Sequence, residues 1–157
     1  MRYKEIMKQG KKRIITELLL PSFIFVKGTA DTIEAMLHDN KVVANENRAL
    51  LSFYYNHTIH CKDYPDRNPP LTIRDEVMNN FIRLTSIKNP HIIPVTSANI
   101  QFKLGDYVVV TEGEFKGIHG RVARIAGQQR VIVELFDGCL VASAYIPKEA
   151  MKICNIE

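Results

Sequence analysis

The chain has 157 residues, 46% of them hydrophobic and 24% charged, with a net charge of +4. That is enough for one domain or two small ones, and the balance is that of a chain able to bury a core rather than of a disordered one. No apolar run approaches the ~20 residues that a membrane helix needs. The opening MRYKEIMKQGKKR carries charge with no apolar signal core behind it, so a cytoplasmic protein without a membrane partner is expected.

The charge is unevenly placed. Arg2, Lys4, Lys8, Lys11, Lys12 and Arg13 face only Glu5 and Glu17 within residues 1–20, so the whole net excess sits at one end. Tyr3 to Met7 and Arg13 to Leu20 read as strands about a Lys8-Gln9-Gly10-Lys11 turn. Lys8, Lys11, Lys12 and Arg13 at its tip are candidate contacts to nucleic-acid phosphates, against the plainer reading of a solvated tip.

After Pro21, Ser22-Phe23-Ile24-Phe25-Val26 has the composition of a strand, and alternation sends Phe23 and Phe25 to one face and Ile24 and Val26 to the other. Thr29 is placed to cap a helix over Asp31 to His38, whose Ile33, Met36 and Leu37 form an apolar stripe. Ala49 to Tyr55 reads as a further strand. The polar loop from His57 to Pro70 holds His57, His60 and Cys61, but these lack a fourth ligand at a known spacing, so no metal is expected. A second helix runs from Thr72 to about Leu84, with Ile73, Val77, Phe81 and Leu84 at helical spacing, and Thr72 with Asp75 approximates a capping box.

Asn89-Pro90 stops this helix, and Pro94, Ser97 and Asn99 mark residues 89–101 as a linker. Five short strands follow: Tyr107 to Thr111, Gly120 to Ala126, Arg130 to Phe136, Cys139 to Tyr145 and Met151 to Ile156. Gly105-Asp106 reads as a turn, as do Gly127-Gln128-Gln129 and Asp137-Gly138. In Arg130 to Phe136 the residues Val131, Val133 and Leu135 face one way and Ile132 and Phe136 the other, which makes Ile132 and Phe136 candidates for an outer partner surface, with covering a barrel end as the alternative for Phe136. Cys61, Cys139 and Cys154 form an odd set with no C-x-x-C pair, which argues for free thiols. No Ser/His/Asp order, nucleophile elbow or metal-ligand set appears, so neither catalysis nor a cofactor is expected.

Gly105 to Val122, GDYVVVTEGEFKGIHGRV, resembles the KOW motif of the NusG family of transcription elongation factors: a strand, then a Gly-rich loop, then a strand. The positions carrying it are Gly105, Asp106, Gly113, Phe115, Gly117 and Gly120. Leu20-Pro21-Ser22-Phe23-Ile24-Phe25-Val26 is similar to the strand with which that family grips the clamp helices of RNA polymerase, and the helix after Pro69-Pro70 is similar to the one that closes the family's N-terminal domain.

The resemblance implies an α+β chain. Residues 1–88 would form an antiparallel sheet with flanking helices, lacking the family's opening strand and helix, and 89–101 a linker. Residues 102–157 would form an SH3-like β-barrel. It also implies polymerase binding through Pro21, Phe23, Phe25, Phe53 and Tyr54, nucleic acid in the elongation complex, and Rho or a ribosomal protein on the barrel. The specialised UpxY-type paralogues are the nearest pattern. A ribonucleoprotein- or RNA-binding module without polymerase binding is the alternative.

Overall fold

A computed structural model describes residues 1–43, 51–59, 62, 68–96 and 101–154. It is mixed α+β with antiparallel sheets, and it divides into two compact units: residues 1–21 with 73–157, and residues 22–72.

The first unit opens with a hairpin of β1 (Arg2–Lys8) and β2 (Lys11–Glu17), paired in full register from Arg2↔Glu17 to Lys8↔Lys11. Gln9 and Gly10 both take positive φ, 52° and 72°, the left-handed pair that matches the twist of a two-residue hairpin. Two strands alone are marginal in water. This hairpin is rooted by Leu19, which is buried in the core of the same unit, with Leu20 packed beside it.

That core lies on a six-stranded antiparallel sheet ordered β3-β7-β6-β5-β4-β8. Its strands are β3 (Ile93–Val95), β4 (Gln101–Val110), β5 (His119–Ile125), β6 (Gln128–Phe136), β7 (Cys139–Tyr145) and β8 (Met151–Ile153). One face buries Val108, Val122, Val131, Val133, Leu135 and Val141, and the other buries Ala123, Ile132, Leu140 and Ala142. This is the alternation expected of a strand apolar on both sides.

Several local expectations change here. Residues 89–101 do not form a plain linker, because Ile93–Val95 pairs with β7. Pro94 is tolerated there because β3 is an edge strand, where a missing N–H costs nothing. Gly105 and Asp106 lie within β4, across a register irregularity between Phe102 and Tyr107, instead of making a turn before it. Ile132 is not an outer surface: it is 2% exposed beneath Ile93 and Val95, and Phe136 packs on the first core cluster.

The helix at Asp75–Ser86, called α2 by its place in the chain, closes the first core with Phe81 and Leu84, in the same cluster as Val108 and Val131. The compact units thus divide at 21/22 and 72/73, and α2 belongs with the strands that follow it. The expected capping box is absent. Arg74 holds the N-cap position, with no side-chain cap bond, so Thr72 lies too far upstream to bond the first turn.

In the second unit α1 (Ala30–Val43) is capped as expected: the Thr32 N–H donates to Thr29 Oγ1 at 3.4 Å, and Ile33 and Leu37 are half-buried. Ser22–Val26 is not a strand. Among the described residues of the expected Ala49–Tyr55 strand, only Tyr55 joins a bridge, to Pro70. Two backbone bonds flank it, Asn56 N–H to Pro69 O at 2.8 Å and Leu71 N–H to Tyr54 O at 2.7 Å. Neither Pro69 nor Pro70 has an N–H to extend a ladder.

Candidate functional site: the glycine loop and its flanking surfaces

The loop between β4 and β5 is held by its own backbone. Gly117 N–H donates to Val110 O at 2.7 Å, Lys116 N–H to Gly113 O at 3.2 Å and Ile118 N–H to Phe115 O at 3.0 Å. Gly113 and Gly117 take φ of 74° and 83°, a region that side chains with a Cβ enter only under strain. Gly120 is required for a different reason. A Cβ there would stand 2.3 Å from Ile132 O and 2.8 Å from Val131 Cγ1, so β5 and β6 approach too closely for any larger residue. Phe115 is 5% exposed and anchors the loop in the core. Of the KOW-like positions, the structure therefore brings Gly113, Phe115, Gly117 and Gly120 into one bend, while Gly105 and Asp106 sit upstream in β4.

Helix α2 holds this bend from the side. Asn80 Nδ2 donates to His119 O at 2.7 Å, and Asn80 Oδ1 accepts from His119 N–H at 2.9 Å. Arg83 Nη1 donates to Gly117 O at 3.2 Å, and just past the helix Asn89 Nδ2 donates to Glu114 Oε1 at 2.6 Å. Sequence reasoning missed these three residues. Asn80 carried a signal, since Asn is a poor helix former and the middle of a helix is an odd place for one unless its amide has work elsewhere.

A second unforeseen feature is Arg130, 8% exposed in β6. Its guanidinium donates to His91 O at 2.8 Å, Ser143 O at 3.0 Å and Gln128 Oε1 at 3.0 Å, which ties the segment before β3 to β7. Burial lowers its pKa, and no ion pair compensates it among the described residues. Next to it the β6–β7 register shifts between Arg130 and Ile132. The Val131 N–H there is satisfied by Ser143 Oγ at 2.9 Å.

The cationic hairpin is sorted by its register. Cross-strand partners share a face, so Arg2, Lys4, Lys8, Lys11 and Arg13 lie on one face with Glu17, whereas Lys12 lies on the other with Glu5, Met7 and Ile14. Lys12 Nζ stands 2.8 Å from Glu5 Oε1, and that hydrogen bond lowers the Glu5 pKa and raises that of Lys12. Arg2 pairs with Glu17, while Lys8, Lys11 and Arg13 are exposed with no ion pair among the described residues. Of the four predicted phosphate contacts, then, three share a face and Lys12 does not.

Phe23, Phe25 and Tyr54 form an aromatic group in the second unit. Phe23 and Phe25 have nearly parallel rings with centroids 6.5 Å apart, and Phe23 meets Tyr54 edge-on at 5.3 Å. Tyr54 in turn meets His57 at 5.8 Å, so His57 sits with aromatic rings. Ile24, Phe25, Val26 and Tyr54 are exposed. Phe53 is half-buried and meets Tyr55 instead, at 6.3 Å. Pro21 is exposed and is the last residue of the first unit's 1–21 segment. His60 and Cys61 fall outside the described residues. Among the described residues no group of three His, Cys, Asp or Glu is placed to hold a metal, and no helix is long and apolar enough to cross a membrane.

Comparison with protein-family models, with curated proteins and with solved structures returns no match.

Proposed function

We propose that the chain is a transcription elongation or antitermination factor of NusG type. It docks on RNA polymerase through the aromatic group of Phe23, Phe25 and Tyr54, with Phe53 and Pro21 beside it in the chain. The six-stranded sheet that holds the KOW-like bend, read as the counterpart of an SH3-like barrel, carries a further factor such as Rho or a ribosomal protein. The observation that carries this reading is that the exposed aromatic and aliphatic residues Ile24, Phe25, Val26 and Tyr54 gather in one unit, while the glycine bend forms in the other. Exposed apolar clusters of this kind mark protein-binding surfaces. Such a factor works without catalysis, by binding the processive state of the polymerase better than the paused one.

Replacing Phe23 and Phe25 together by Ala tests it. Polymerase pull-down should be lost while the amide spectrum of the first unit is unchanged, and retained binding would place the docking face elsewhere. A second reading, an RNA- or ribonucleoprotein-binding module, is favoured by the one-sided cationic face of the hairpin. Pull-down with ribosomes in place of polymerase separates the two.

A further inference from the structure

Beside the glycine loop lies a hollow of about 330 Å³, between Glu112–Phe115 on one side and Tyr145–Pro147 on the other. Its floor is apolar and buried: Phe115 is 5% exposed and Ile146 2%. Its rim is polar. Glu112 and Glu114 stand on the loop side, and among the described residues no Lys or Arg lines the hollow. Glu114 gives one oxygen to Asn89, and Glu112 has no partner among the described residues. Across from them Tyr145 is 57% exposed.

The walls are set in advance. The Thr111 N–H bonds Ala150 O at 2.9 Å and the Ile146 N–H bonds Gln129 O at 3.1 Å, in addition to the bonds within the glycine loop, so little ordering is left to be done on binding. Two carboxylates, an exposed aromatic face and an apolar floor are together complementary to a guanidinium followed by an aliphatic side chain. Arginine pairs with carboxylates through its planar fork and stacks on aromatic rings, which a lysine does less well.

We infer that this hollow docks an arginine-bearing segment of a partner protein. The guanidinium sits between Glu112 and Tyr145, and a neighbouring Leu, Ile or Val covers Phe115 and Pro147. The inference rests on reading the sheet unit as a partner-binding module, and it supplies the chemistry of that partner.

The test is a titration of the full chain, followed by amide NMR, with the peptide acetyl-Leu-Arg-Leu-amide and with acetyl-Leu-Glu-Leu-amide as control. Saturable shifts at Gly113, Glu114, Tyr145 and Ile146 are expected with the arginine peptide only, and they should weaken as salt rises. Glu112→Lys should reduce affinity about tenfold, the loss of one charge-assisted contact. Tyr145→Ala should weaken binding, and Tyr145→Phe should preserve it because the ring face remains. Both positions are exposed, so these variants keep the fold.

Equal shifts with the glutamate peptide, shifts unaffected by Glu112→Lys, or no shifts up to the solubility limit would overturn the assignment. So would shifts at these residues that follow protein concentration without peptide, since the occupant would then be a second copy of the chain. Failure of polymerase binding through Phe23 and Phe25 would leave the peptide result intact, so the two readings fail separately.

Discussion

The Asn80 side-chain amide bonds both backbone groups of His119, its Nδ2 to the carbonyl at 2.7 Å and its Oδ1 to the N–H at 2.9 Å. One helix side chain thus stands in for a strand neighbour at the start of β5. Asn80→Ala should cost about 1–2 kcal/mol, the net worth of two such bonds at a half-buried site. Asn80→Asp keeps the acceptor and loses the donor, so it should fall between the two. Urea unfolding with an unchanged m value would show the loss as one of stability.

Two glycines of the same bend should respond in opposite degree. Gly113 has open space around its absent Cβ, so Gly113→Ala meets only the left-handed backbone penalty of about 1–2 kcal/mol. Gly120→Ala drives a Cβ into the Ile132 carbonyl and should cost about 3 kcal/mol or more, because β5 and β6 must separate. Equal midpoints for the two variants in thermal unfolding would contradict this.

On the hairpin, charge reversal should depend on register. If nucleic acid meets the cationic face, Lys8→Glu, Lys11→Glu and Arg13→Glu should each lower the log-log salt slope of binding by about one unit. Lys12→Glu, on the opposite face beside Glu5, should leave the slope unchanged. A uniform response of all four would remove the face assignment, and no response at all would favour a solvated tip.

Cys139 is 5% exposed, and burial pushes its thiol up to about 11. Below pH ~8 the thiol is largely neutral in folded and unfolded chains alike, and stability depends little on it. As pH rises from about 9 towards 11 the unfolded chain ionises first, so stability should fall through that window. Iodoacetamide at pH 8 should label the half-buried Cys154 in the native protein and reach Cys139 only after unfolding.

Helix α2 shares its core with the sheet, so the sheet should not be indifferent to its removal. Leu84, 0% exposed, should cost about 2–5 kcal/mol when truncated to Ala. A fragment of residues 73–157 should give a dispersed amide spectrum. One of residues 100–157, lacking Phe81, Leu84 and Ile92, should be markedly less stable to urea.

Much of the local structure was legible in the chain because it is specified within a few residues. Gln9-Gly10 and Asp137-Gly138 adopt turns through their own backbone preferences, and Thr29 caps a helix three residues away. The apolar spacing of Val77, Phe81 and Leu84 marks a buried helix face whatever covers it. The same periodicity says nothing of what that face meets. That α2 packs on the strands after it, with Asn80 and Arg83 against the glycine loop, was decided by which apolar surface the folded chain offered.

Strand identity divides in the same way. β5, β6 and β7 are apolar on both sides and were recognisable by composition, whereas Ser22–Val26 has equal β propensity and is not a strand. Ile93–Val95, with a proline at its centre, is one. A strand exists only where a partner presents its backbone groups in register, and that partner lies far along the chain. Arg130 shows the limit most plainly: in sequence it alternates with Val131 as an outward residue, yet β3 and the segment before it fold over that face and make it a buried tie. Local sequence set the turns, the cap and the apolar faces; contacts between distant segments, closed only in the tertiary structure, set which faces met.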